Sequence, residues 1–155
     1  MPQVQKLVNS ILRDLKPLQT ALGFHKVYVH YIKADENELA RYISGTMDNP
    51  HFVLNARGIY NAAKEDGVNL GTTIETTLVH EFGHAYLEMC GIDTRDHDED
   101  VVEDFAREYN DYRNIKPHLL LLPVHRYLLL NRSRHHIQIG KNGYNLKIMP
   151  STLKL

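Results

Sequence analysis

Two histidines four residues apart, His80 and His84, constrain this chain more than any other feature. On an α-helix, positions i and i+4 stand one above the other on one face, so both imidazoles can reach a single metal ion. The flanking residues predict such a helix. Thr72-Thr73-Ile74-Glu75 reads as a capping box, with Thr72 as N-cap and Glu75 three residues on. The run from Thr73 to Cys90 then carries one apolar stripe, Ile74, Leu78, Phe82 and Ala85 or Tyr86, with Val79 beside it. Gly91 is the expected residue just past the helix end.

The full motif is His80-Glu81-Phe82-Gly83-His84, H-E-x-x-H. Its chemistry is that of a zinc peptidase: two His ligands and a Glu general base, here Glu81. A catalytic zinc needs a third protein ligand and keeps its fourth position open. Three residues compete for that role. A second helix is expected from near Asp98 to about Arg113, with Val101, Val102, Phe105, Tyr109 and Tyr112 as its apolar face. The first helix continues about two turns past His84, roughly 10 Å at 1.5 Å per residue. An antiparallel partner must climb back a similar distance, which favours Glu103, more than one turn inside it. Glu99 lies one turn earlier, where Asp96-x-x-Glu99 also reads as a capping box variant. His97 would act only if the second helix began beside the metal.

These residues resemble known families. The block Thr76-Thr77-Leu78-Val79-His80-Glu81-Phe82-Gly83-His84-Ala85, followed by Val102-Glu103-Asp104-Phe105-Ala106, is similar to the gluzincin-type metallopeptidases of the ImmA/IrrE group and related small phage-encoded proteins. Glu103-Asp104-Phe105-Ala106 fits the E-x-x-A of that group, with Arg107 where it usually has Asn. The chain also resembles SprT-like proteases, in which a third His, here His97, opens the following helix, usually as H-G-x-x-F. His97-Asp98-Glu99-Asp100-Val101 departs from that pattern at the Gly and the aromatic. Phe52-Val53-Leu54-Asn55 is similar to the strand that precedes the metal helix in SprT-like domains. The resemblance covers residues 39 to 113. It implies an α+β, minimal zincin-like domain with one Zn²⁺ per chain, held by His80, His84 and Glu103, with His97 and Glu99 as alternatives. It further implies a Tyr or His that steadies the oxyanion, for which Tyr109, Tyr112 and Tyr60 are candidates.

The rest of the chain supplies a scaffold. At 155 residues, 43% hydrophobic and 24% charged, it is expected to form one modest core. Val4, Leu7, Val8, Ile11, Leu12 and Leu15 predict a helix over 3–16, which Pro17 ends or kinks, with a continuation over 18–22. Strands are expected near 27–31, over 39–44 and over 51–55. The last is the candidate edge for binding extended peptide by strand addition. His25, His30 and His51 read as surface or strand-face residues. Cys90, the single cysteine, allows no disulfide within the chain and reads as core. Met1 to Gln5 lack the start of a secretory signal, and Leu119 to Val124 is too short to cross a bilayer. A reducing cytoplasm, that of a host cell if phage-encoded, is the expected compartment, or a virion.

Charge divides the chain. Residues 93–111 hold nine acids and two bases, whereas 116–155 hold seven Lys or Arg and no acid. The net charge of −1 hides this. Residues 1–115 read as the metallopeptidase domain and 116–155 as a basic extension packed on the same core. Its Lys141-Asn142-Gly143 turn predicts a β-hairpin, with Ile137 and Ile139 facing Leu146 and Ile148. Its charge is either a solvated or internally paired face or a contact for nucleic acid or an acidic partner, through Arg132, Arg134, His135, His136 and Lys141. Three functions fit: a zinc endopeptidase on a protein or peptide substrate, a catalytically silent zincin-fold binding or assembly protein, and a SprT-like DNA-associated protease. Oligomeric state is not legible in the sequence.

Overall fold

The computed structural model describes residues 2–112 and 122–130. Helix α1 (Pro2–Asp14) is followed by a short α2 (Lys16–Ala21). Pro17 lies in the first turn of α2, where its missing N–H leaves no bond unmade, so the proline opens a new helix rather than bending the old one. Val4, Val8, Ile11 and Leu15 are buried, as their spacing predicts.

Three strands follow, β1 (Tyr28–Ile32), β2 (Ala40–Ile43) and β3 (His51–Asn55). Their order in the sheet is β1-β3-β2, with β1 parallel and β2 antiparallel to β3. Phe52 and Leu54 of β3 and Tyr42 of β2 face the core. The opposite face carries His30 and His51, whose rings touch through Nε2 and Nδ1 at 2.9 Å. One expectation is corrected here. The strand ending at Asn55 is central, paired on both sides, and β2 is the edge strand that packs against the metal-motif helix. Alternation of apolar residues reveals which face of a strand is buried but not its place in the sheet.

Asn55 then ends β3 and starts α3 (Ala56–Asp66), a helix that periodicity did not reveal. Its side chain is 2% exposed and makes four bonds. Oδ1 accepts from the backbone N–H of Gly58 (3.2 Å) and Ala34 (3.0 Å), while Nδ2 donates to the carbonyls of Ala34 (2.9 Å) and Glu38 (3.2 Å). One residue thereby caps a helix and ties down the segment entering β2. A Cβ at position 58 would stand 2.8 Å from Asn55 Nδ2, so only Gly fits beneath this amide.

The motif helix, α4 (Leu70–Met89), begins earlier than its sequence suggests. Asn69 is the N-cap, accepting from Gly71 N–H (2.8 Å) and Thr72 N–H (3.4 Å), and Thr72 lies inside the helix. Asn is the better cap, and Thr73 and Thr77 turn their hydroxyls back onto helix carbonyls instead. Ile74, Leu78, Val79, Phe82, Ala85 and Tyr86 are all fully buried. The helix closes in a Schellman turn: Gly91, at φ 91°, donates to Glu88 O and Ile92 to Leu87 O. A 3-10 turn (Thr94–Asp96) leads to α5 (Glu99–Tyr112), whose first turn is capped by Asp98 accepting from Asp100 N–H, not by Asp96. Helix α6 (Leu122–Leu130) packs on α5, and Val124, Tyr127 and Leu128 join the common core. Arg126 pairs with Glu108 at 3.8 Å, and Tyr127 Oη donates to Asp96 O. The fold is α+β, with a small mixed sheet against helices. No helix among the described residues is long and apolar enough to cross a membrane.

Replacing Asn55 by Ala should cost on the order of 2–4 kcal/mol, since it leaves buried backbone groups unpaired. The expected result is a lower urea midpoint at unchanged m-value. Asn55→Asp, which keeps the acceptor bonds and loses the donors, should fall between that variant and wild type.

Candidate metal centre

The rotation of α4 about its axis is fixed by Phe82. Its ring is fully buried and meets Phe24 and Phe52, each with centroids 5.4 Å apart. The next residue, Gly83, faces α5. A Cβ there would stand 3.0 Å from Val102 Cγ1 and 3.3 Å from Phe105 Cδ1, so the missing side chain lets the two helices approach closely. With these two positions set, His80 and His84 meet the acids of α5.

Glu99 contacts both histidines. Its Oε2 lies 3.3 Å from His80 Nε2 and its Oε1 3.1 Å from His84 Nε2. Glu103 reaches the other nitrogen of His80, with Oε1 3.2 Å from Nδ1. His97 reaches the other nitrogen of His84, the two Nδ1 atoms 2.9 Å apart, and its own Nε2 lies 3.0 Å from the Ile92 carbonyl. The three candidates for a third ligand are thus all beside the motif, but only Glu99 approaches the Nε2 of both histidines. The expected long climb of the second helix is shortened because the 3-10 turn carries the chain back before α5 begins.

The donor set suits a small divalent cation. With bonds of about 2.0–2.1 Å to His nitrogen and carboxylate oxygen, neighbouring ligand atoms of a tetrahedral site sit roughly 3.3–3.4 Å apart. Glu99 meets the two Nε2 atoms at 3.3 and 3.1 Å through different carboxylate oxygens. Ligand atoms of His80, Glu81 and His84 also lie within 4.8 Å of one another. Glu99 and Glu103 have side chains 66% exposed, so solvent and an ion can reach the cluster from the α5 side.

Burial sets the charge states of the free site. Glu81 is 8% exposed, and desolvation pushes its carboxyl up to about 8, against a backbone hydrogen bond from Tyr42 that pulls it down. Desolvation lowers His84 to about 4, helped by the nearby His80 and His97, and lowers His97 as well. His84 is therefore neutral at neutral pH, the form that carries a lone pair for a metal.

Strand β2 forms the opposite wall. Two adjoining hollows, about 250 and 360 Å³, share Ala40, His80 and Glu81. Leu39, Thr76, Thr77, Glu103 and Ala106 complete one, and Arg41, Tyr42, His84 and Glu99 take part in the other. The tyrosine expectations fare differently. Tyr109 is buried in the core and lines neither hollow. Tyr60, 54% exposed, lines a separate depression with Gln3 and Lys33. The side chain of Tyr112 lies outside the described residues, as do Arg132, Arg134, His135, His136, Lys141 and the predicted hairpin. Cys90 is fully buried, its thiol pushed up to about 12 by desolvation.

Sequence reasoning missed Tyr42 and Glu88. Glu88 accepts from Tyr42 Oη (2.7 Å), from Gly45 N–H (2.6 Å) and from the Ser44 hydroxyl, so it clamps the end of β2 onto α4. The available signal was spacing: Glu88 lies seven residues, two helical turns, after Glu81 and shares its face.

Glu81 gives the metal-free protein a pH dependence of known sign. Its folded value, about 8, lies above the ordinary 4.5, so the folded state holds an extra proton between the two. That contribution is complete below about pH 4.5 and is lost as pH rises through about 8. Metal-free Glu81→Gln should therefore melt above metal-free wild type near pH 9, by about 2–4 °C or more. The difference should close near pH 4 in calorimetry. Set against known proteins, the chain matches no family profile, no curated protein and no solved structure.

Proposed function

We propose that this chain is a zinc-dependent metallopeptidase of minimal zincin-like build. The observation that carries the reading is the gathering of His80, Glu81 and His84, with ligand atoms within 4.8 Å of one another, beside the Glu99 carboxylate and under an edge strand. Zinc is the ion that two imidazoles and a carboxylate in such a set favour. His80, His84 and Glu99 would hold it, with Glu103 behind His80. When bound, zinc supplies Lewis acidity to water and to a carbonyl oxygen.

The protein's own part is carried by Glu81. Its carboxylate takes a proton from the attacking water and passes it to the departing amine. A structural zinc site has no use for a buried carboxyl at this position, which argues against a silent scaffold. Substrate binding falls to β2. Ala40–Ile43 is bonded on one side to β3, and its other side lies toward the cleft. An extended peptide that adds to this edge passes over His80 and Glu81.

Elemental analysis of protein purified without chelator tests the reading. Wild type should carry one zinc per chain, and Glu99→Ala should lose it. Glu103→Ala should keep the stoichiometry with weaker affinity. Glu81→Gln should keep the metal while cleavage of unfolded protein substrates falls about 100-fold or more. Zinc lost in Glu103→Ala but kept in Glu99→Ala would transfer the ligand role to Glu103. Wild type without zinc, even after zinc is added back, would end the peptidase reading.

A further inference from the structure

The geometry points to His97 as a positioning residue that selects the tautomer of His84, rather than as a metal ligand. The inference rests on the metal site proposed above, but its starting point is the hydrogen-bond chain alone. The carbonyl of Ile92 can only accept, so the 3.0 Å contact requires a hydrogen on His97 Nε2. Neutral His97 then has an acceptor at Nδ1. His84 Nδ1, 2.9 Å away, must be the donor. His84 therefore carries its hydrogen on Nδ1 and leaves Nε2 bare, and Nε2 is the atom that faces Glu99.

The two rings are arranged for this bond. Their planes differ by 9° and their centroids are 5.1 Å apart, which is the N···N separation plus the two ring radii. The imidazoles thus meet edge to edge in one plane, along the direction an N–H bond takes. Both rings are partly buried. The far end of the chain is fixed by the backbone. Ile92 is fully buried, and its N–H closes the Schellman turn on Leu87. The end of α4 therefore orients one carbonyl, that carbonyl sets His97, and His97 sets the nitrogen that His84 offers.

A bare Nε2 leaves the Glu99 carboxylate facing a lone pair. A lone pair and a carboxylate oxygen at 3.1 Å have no hydrogen to share, and a cation between them relieves the repulsion. His97 has no such freedom, because both of its nitrogens are committed. This tautomer selection is the task that carboxylates and carbonyls perform behind metal-bound histidines, done here by a second imidazole.

Imidazole ¹⁵N correlation spectra of the metal-free wild-type protein test the tautomer without any substitution. His84 should appear with hydrogen on Nδ1 and none on Nε2; the reverse would overturn the proposal. Zinc affinity by chelator competition gives the second readout. His97→Leu should weaken binding about 10–100-fold at an unchanged stoichiometry of one. His97→Asn, whose amide oxygen can accept from His84 Nδ1, should recover most of that loss. Unchanged affinity in His97→Leu, or zinc lost outright in both variants, would overturn the assignment, the latter by making His97 a ligand. If wild type takes up no zinc, the metal reading fails, and the His84 tautomer alone decides whether the relay stands.

Discussion

The close approach of α4 and α5 at Gly83 is the contact on which the centre depends. Both helices bring an apolar face to it, and Val102 and Phe105 lie almost fully buried against the groove that Gly83 leaves open. Burial of each such side chain contributes roughly 1.5–3 kcal/mol, so the pairing is held by packing and not by the polar groups above it. The His–Glu contacts sit on top of this apolar seam. The carboxylates of Glu81, Glu99 and Glu103 gathered at one spot would otherwise repel, and the seam supplies the energy that keeps them together.

Much of this was legible in the sequence, for a stated physical reason in each case. Helical periodicity found α1, α4 and α5, because each buries one stripe. Alternation and β-branched or aromatic content found all three strands. What escaped is what periodicity does not encode. Helix α3 follows β3 without a loop and is announced only by Asn55 and by Gly67, at φ 66°. The central place of β3 depends on pairings between distant segments. The start of α4 was misjudged because two capping residues compete, and the amide of Asn69 wins over the hydroxyl of Thr72.

The three acids and imidazoles of the second half show the same boundary. Their types and order pointed to the right neighbourhood. Which atom each presents depends on the 3-10 turn at Thr94–Asp96, whose effect on the level of α5 no residue count reveals. Residue spacing along one helix is fixed by geometry, so the grouping of His80, Glu81 and His84 could be read from sequence. Spacing across a loop is not.

Glu81 and Glu88 both reach across to β2, one through the backbone of Tyr42 and the other through its hydroxyl, Ser44 and Gly45. Helix α4 and strand β2 are in this way sewn together at both ends of the cleft. The acids of α5 meet the histidines through side chains that stand largely in solvent. The centre consequently has a buried half and an exposed half. The histidines, Glu81 and the strand wall form the buried half, while Glu99 and Glu103 form the exposed half. The width of the cleft is set by bonds that no ligand has to form.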